Sequence, residues 1–300
     1  MPSESSRPRP LVLEPLIHPK EKFYFAICVV VSLVVYVGLA VTILNGGPIA
    51  GTLVTYLIFG IVAFFVIHGL HIGHVRGNGV RVSSRQFPEL NAMADQHSRR
   101  LGLDETPAIF VLQSGGVLNA FATRFLGRNF VILNSDVLAL ATQKGEKAVS
   151  FVLGHELGHV QRKHMTRRAL LYPAMVFPFL SGAYSRACEY TCDRFGNALE
   201  PEGGVDGLLV LAAGRDLYTH VNSTEYSGQR ETETGFFVRF AEILSTHPNL
   251  PKRVAALDAA RKHAPVPARP LMGKTAAVNP TKPEACVSPR RLSAALRADM

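Results

Sequence analysis

The sequence predicts a mainly helical α+β domain with a small antiparallel or mixed sheet, preceded by a two-helix transmembrane hairpin. Three observations lead there. From Phe23 to Val75 there is no Asp, Glu, Lys or Arg, in two apolar runs separated by Asn45-Gly46-Gly47-Pro48. Beyond them, apolar residues recur at helical spacing in several longer stretches. Between those stretches lie short apolar runs punctuated by glycine, which read as strands. Three hundred residues are enough for one sizeable domain with additions at both ends.

Residues 1–22 hold Pro2, Pro8, Pro10, Pro15 and Pro19 among several charges and read as a flexible tail. They are not a cleavable signal, because the apolar run that follows starts late and is long. Residues 23–44 are about long enough to cross a ~30 Å hydrocarbon core, and residues 51–72 can cross back. Arg7, Arg9, Lys20 and Lys22 precede the first run, Arg76, Arg81 and Arg85 follow the second, and the connection carries no such charge. The positive-inside rule then places both ends, and the domain at 73–263, in the cytoplasm of an integral membrane protein, as in a bacterial inner membrane. His68, His71 and His74 line one side of the second run. They suit the membrane interface or a contact with the domain, with a metal site as the alternative.

Residues 87–101 read as an amphipathic helix with Pro88 in its first turn and a buried stripe of Leu90, Met93, Ala94, His97 and Leu101. Gly102 suits its C-cap. Strands are expected at 108–112, 117–123 and 129–133, with a turn at Gly115-Gly116 and a connection through Gly127. Asn134-Ser135-Asp136 can cap a short helix running to Ala141.

Residues 145–164 place Val149, Val152, Leu153 and Val160 near a 3.6 period, and within them lies His155-Glu156-Leu157-Gly158-His159. Four residues apart on a helix, His155 and His159 share a face and can hold one Zn²⁺, with Glu156 placed to take a proton from water. Gly154 and Gly158 permit close approach by a neighbour. Two histidines leave zinc short of ligands, and Glu189 is the candidate third. Asp193, four residues on, can accept a hydrogen bond from the other nitrogen of His155 or His159. Arg186, three residues before Glu189, is placed to pair with either carboxylate. His164, five after His159, reads as structural or solvent-exposed.

Residues 169–184 lack charge but include Pro173 and Pro178, too short and too interrupted for a comfortable span. They suit a dip into the membrane, a wall of the cleft, or a buried helical remnant. Residues 205–217 read as a helix packed behind the site through Leu208, Leu209, Leu211 and Leu217. Residues 220–235 are polar and read as a mobile lid-like loop, and 236–244 return to helix. Residues 264–300, with six prolines and many basic residues, read as a disordered tail.

The net charge of +9 lies largely beside apolar runs and in that tail, which favours a lipid bilayer as partner over nucleic acid. Cys28, Cys188, Cys192 and Cys286 form no secreted disulfide framework, and Cys188 and Cys192 read as small buried residues.

Taken together, His155-Glu156-Leu157-Gly158-His159 with Val160 and His164, Glu189 and Asp193, Asn119-Ala120-Phe121-Ala122, and Thr246-His247-Pro248 followed by Arg253 resemble the M48 type of membrane-bound zinc metallopeptidase. That group includes HtpX-like proteases and CAAX prenyl endopeptidases. The resemblance covers roughly 83–263. It implies a zincin-like (gluzincin) fold, one zinc per chain held by His155, His159 and Glu189, and Glu156 as catalytic base. It also implies that Asn119, Ala120 and Phe121 form an edge strand beside the cleft that pairs with an extended protein or peptide substrate. His247 and Arg253 recur near the site in such proteins, His247 either donating to the oxyanion or buttressing the ligands. The departure lies between His164 and Ser185, where HtpX-like relatives place two spans and this chain has room for neither. The expected function is a membrane-anchored zinc endopeptidase acting on membrane or misfolded proteins. The alternatives are a catalytically silent zinc-fold scaffold and a CAAX-type endopeptidase.

Overall fold

A computed structural model describes residues 10–113, 119–142 and 145–263. The expected turn at Gly115-Gly116, the first residues of the strand expected from 117 and the tail after 263 lie outside the described residues.

The two apolar runs form α1 (Pro19–Asn45) and α2 (Pro48–Asn78), which extend beyond both ends of the 23–72 hairpin expected and are mostly exposed along their apolar length. Gly46 and Gly47, at φ of 71° and 93°, make the reversal between them, a left-handed conformation that glycine adopts without steric cost. Residues 10–18, read from the sequence as tail, instead lie against the domain. Leu11 N–H donates to the Arg100 carbonyl (2.8 Å), and Ile17 is buried in the main core. The cause is that Leu11, Leu13, Leu16 and Ile17 supply an apolar edge among the prolines.

After α2 come β1 (Val80–Arg81), α3 (Pro88–Arg100), β2 (Ala108–Leu112), β3 (Ala120–Phe125) and β4 (Arg128–Asn134). The sheet is mixed, in the order β1-β2-β4-β3, with β2 and β4 parallel and the two outer pairs antiparallel. β3 and β4 are joined by Leu126 and Gly127, both at positive φ (46° and 81°), the two-residue turn that matches strand twist. Strand alternation gives the sheet two apolar faces. Ile109, Val111, Ala122, Val131 and Leu133 join the main core, whereas Phe110, Phe130 and Ile132 pack with Ile72 and Val75 of α2. The base of the second apolar helix therefore covers the far side of the sheet.

α4 (Ser135–Thr142) leads to α5 (Glu146–Gln161), the most enclosed helix, buried from Ala148 to Gly158. Then follow α6 (His164–Leu170), α7 (Tyr172–Met175) and α8 (Pro178–Leu199). The 169–184 stretch packs along α1: Tyr36 hydroxyl donates to the Leu170 carbonyl (3.0 Å), and Ala174 N–H donates to Ser32 Oγ (3.3 Å). Cys28 is buried there with Leu171, Ala174, Tyr184 and Cys188. α9 (Gly204–Ala213) buries Leu208 and Leu209 behind α5, but it stops before Leu217, and Leu211 and Leu217 are exposed. The region read as a loop at 220–235 contains a helix, α10 (Ser223–Thr232), because the Asn222 side chain accepts from Thr224 and Glu225 N–H and caps it. α11 (Phe236–Leu244) and α12 (Leu250–His263) complete the described chain.

Candidate metal centre

The site forms where α5 crosses α8. Glycine makes the crossing close: a Cβ on Gly154 would lie 2.9 Å from Leu199 Cδ1, and one on Gly196 would lie 2.8 Å from the Phe151 carbonyl oxygen. His155 and His159 project from α5 on one face, and Glu189 meets them from α8. His155 Nε2 lies 3.2 Å from His159 Nε2 and 3.4 Å from Glu189 Oε2, and His159 Nε2 lies 3.4 Å from Glu189 Oε1. A tetrahedral zinc with bonds of about 2.0–2.1 Å holds its donors roughly 3.3 Å apart, close to the spacing of the two Nε2 atoms and of each from its nearer Glu189 oxygen. The donor set, two imidazoles and a carboxylate with Glu156 buried beside them, fits zinc.

The surroundings hold these side chains in place. His155 Nδ1–H donates to Asp193 Oδ1 (3.0 Å), which leaves Nε2 free to ligate. Arg253, from α12, donates through Nε to Asp193 Oδ2 (2.8 Å) and through Nη2 to Oδ1 (2.6 Å), and its Nη1 lies 3.3 Å from Glu189 Oε2. Burial alone would lower His155, but the Asp193 and Glu189 carboxylates prevail and push it up to about 10. Burial opposes ionisation of Glu189 as well, yet His155, His159 and Arg253 hold it well below the usual carboxylate range. A shared point between two imidazoles and a carboxylate is what a divalent cation satisfies.

His247 Nε2 lies 3.6 Å from Glu189 Oε1, its side chain largely exposed at the rim, with Nδ1 3.0 Å from Thr246 Oγ1. Asn119 is exposed, and its carbonyl accepts from Asn134 N–H (3.0 Å), starting the β3–β4 ladder. Ala120 and Phe121 follow on β3, whose outer edge has no strand partner among the described residues. Phe121 turns to α2, its ring 5.8 Å from that of His71.

Two sequence readings change, and His68 and His71 take one of the places expected for them. Arg186 pairs with neither carboxylate: its Nη1 donates to the carbonyls of Glu242, Ile243 and Ser245, the open end of α11. His164 is buried, with Nδ1 2.9 Å from His159 Nδ1, so the solvent-exposed alternative falls. His68 and His71 meet the domain, His68 Nε2 bonding to the Arg124 carbonyl (3.1 Å). Cys188 and Cys192 are buried, and burial pushes both thiols up, as for small inert core residues. The resemblance placed Arg253 near the site without saying what it does there, and Glu21 was passed over.

The model of peptidase family M48 matches residues 84–181 and 169–261, together more than half the chain. The chain belongs to peptidase family M48. The two matched stretches overlap at residues 169–181. A protein described as a protease HtpX homolog, from Methanothermobacter thermautotrophicus, is 27% identical over 190 residues, covering 61% of this chain and 70% of that protein. No solved structure matches the chain. Family membership makes this chain a peptidase with a protein substrate. Its two long apolar helices suggest membrane association.

Proposed function

We propose that the chain is a membrane-anchored, zinc-dependent endopeptidase of zincin-like (gluzincin) fold that cleaves membrane or misfolded proteins. The observation that carries this reading is the convergence of His155 Nε2, His159 Nε2 and the Glu189 carboxylate beside Glu156, the two nitrogens 3.2 Å apart and each 3.4 Å from one of the carboxylate oxygens. His155, His159 and Glu189 would hold the zinc. When bound, zinc lowers the pKa of water and stabilises negative charge on a carbonyl oxygen. Glu156 accepts the proton of the attacking water and passes it to the leaving nitrogen. The outer edge of β3, with Asn119 just before it and Ala120 and Phe121 at its start, pairs with extended substrate backbone, which recognises peptide and tolerates many side chains. His247 stands at the rim, where it can donate to the developing oxyanion.

The test is zinc content and proteolysis of the full chain in detergent, wild type beside Glu156→Gln. One zinc per chain in both, with cleavage by the wild type alone, is the expected result. Zinc in both with cleavage by neither points to the silent scaffold. Absence of zinc from the wild type overturns the reading.

A further inference from the structure

Glu21 sits in the first turn of α1, two residues before the uncharged apolar run begins, and its side chain is fully buried. Its Oε1 accepts from Arg162 Nε (3.0 Å), Arg162 Nη2 (2.8 Å) and Arg167 Nη1 (3.2 Å), and it lies 3.4 Å from His164 Nε2. His164 is itself 1% exposed, and its Nδ1 lies 2.9 Å from His159 Nδ1. The far nitrogen of His159, Nε2, is the one that faces His155 and Glu189.

The proton positions along this chain follow from the inventory of each ring. An imidazole that gives its Nε2 lone pair to a metal carries its hydrogen on Nδ1. That hydrogen has His164 Nδ1 as its acceptor. His164 must then carry its own hydrogen on Nε2, on the side of Glu21. The order is carboxylate, imidazole, imidazole, metal position. Glu21, His164 and Cys188 also stand close enough to suggest a second metal site. The two guanidiniums on Glu21 already supply the positive charge there, so the cluster is a buried ion-pair network in which His164 Nε2 stands in contact with Glu21 Oε1 at 3.4 Å.

We propose that Glu21 is a positioning residue for the metal centre, acting through His164 to fix the tautomer and direction of His159. It does for His159 what Asp193 does for His155. The first apolar helix is then part of the metal centre as well as a tether. The inference rests on the zinc reading above.

The experiment measures zinc affinity of the full chain in detergent by competition with a chromophoric chelator. It compares wild type, Glu21→Gln, His164→Phe and the double variant, and records the visible spectrum of each Co²⁺-loaded protein. Loss of a residue that orients a ligand costs about 10–100-fold in metal affinity, and that is the loss expected for each single variant, with a changed Co²⁺ spectrum. With His164 gone the relay is already cut, so Glu21→Gln should cause no further loss in that background. Unchanged zinc affinity in Glu21→Gln, or an equal loss in both backgrounds, overturns the proposal and leaves Glu21 as a partner of the arginines only. Should Glu21→Gln fail to fold, His164→Phe keeps Glu21 and its arginines and carries the test: wild-type affinity there overturns the relay. A wild type without zinc would overturn the endopeptidase reading instead, so the two failures are distinguishable.

Discussion

Arg253 is a buried cation set between two buried carboxylates, and it shows what single residues contribute here. Removing one partner of a buried charge cluster typically costs about 3–5 kcal/mol, because the remaining charges stay desolvated and unpaired. Arg253→Met should lose roughly that much stability, read as a shifted urea midpoint at unchanged slope, and should weaken zinc binding by turning Asp193 away from His155. Two local pairs were legible in the sequence, His155 and His159 four apart and Glu189 and Asp193 four apart, and the structure brings the two pairs together. Arg253 lies 60 positions from Asp193, and Glu21 lies 141 from Arg162, and no local spacing encodes such pairs. Arg186 misled for the opposite reason. It is near Glu189 in sequence, but α11 offers it three carbonyl oxygens on another side of α8.

At the scale of elements, the α5–α8 crossing is set by Gly154, Gly158 and Gly196. Gly196→Ala would bring a Cβ to 2.8 Å from the Phe151 carbonyl oxygen and 2.9 Å from its ring. Such overpacking costs about 1–3 kcal/mol. Because the crossing also sets the distance from Glu189 to the histidines, zinc affinity should fall with the melting temperature. The α3–α5 contact brings a pH dependence. His97, foreseen in the buried stripe of α3, bonds through Nε2 to Ser150 Oγ (3.0 Å), and burial lowers it to about 4. Its folded value lies below the unfolded one, so its contribution is complete above about pH 6.5 and is lost as pH falls towards 4. That contribution is roughly 3 kcal/mol. Replacing it in His97→Gln should flatten the fall in stability between pH 6.5 and 4.5, measured by urea melts. The helices with apolar stripes were legible. α10 was not, since its polarity masked a cap: Asn222, with Glu225 three residues later, is a helix-start signal that composition alone overrides.

For the whole molecule, the bonds from Tyr36 and Ser32 to residues 170 and 174 set a depth. Those two positions lie about 20 Å and 14 Å along α1 from Phe23. If α1 crosses the bilayer, the exposed Leu170, Tyr172, Val176 and Phe177 sit beside it within the hydrocarbon. Cysteine-borne probes at Val176 and Phe177 should be quenched by lipid-borne quenchers, and a probe at Glu233 should not. A reporter fused at Gly47 should be extracytoplasmic and one at Ala264 cytoplasmic; the reverse pattern would overturn the orientation drawn from the flanking charges. The burial of Glu21 beneath Arg162 also orders the molecule in time. At 5–20 residues per second, the 141 residues between them take roughly 7–28 s to synthesise, by which point α1 and α2 have long left the ribosome. If Glu21 is part of the centre and α1 takes its seat only on entering a bilayer, a nascent chain that misses the membrane would reach its histidines with the centre incomplete, and biosynthesis would itself withhold a finished protease.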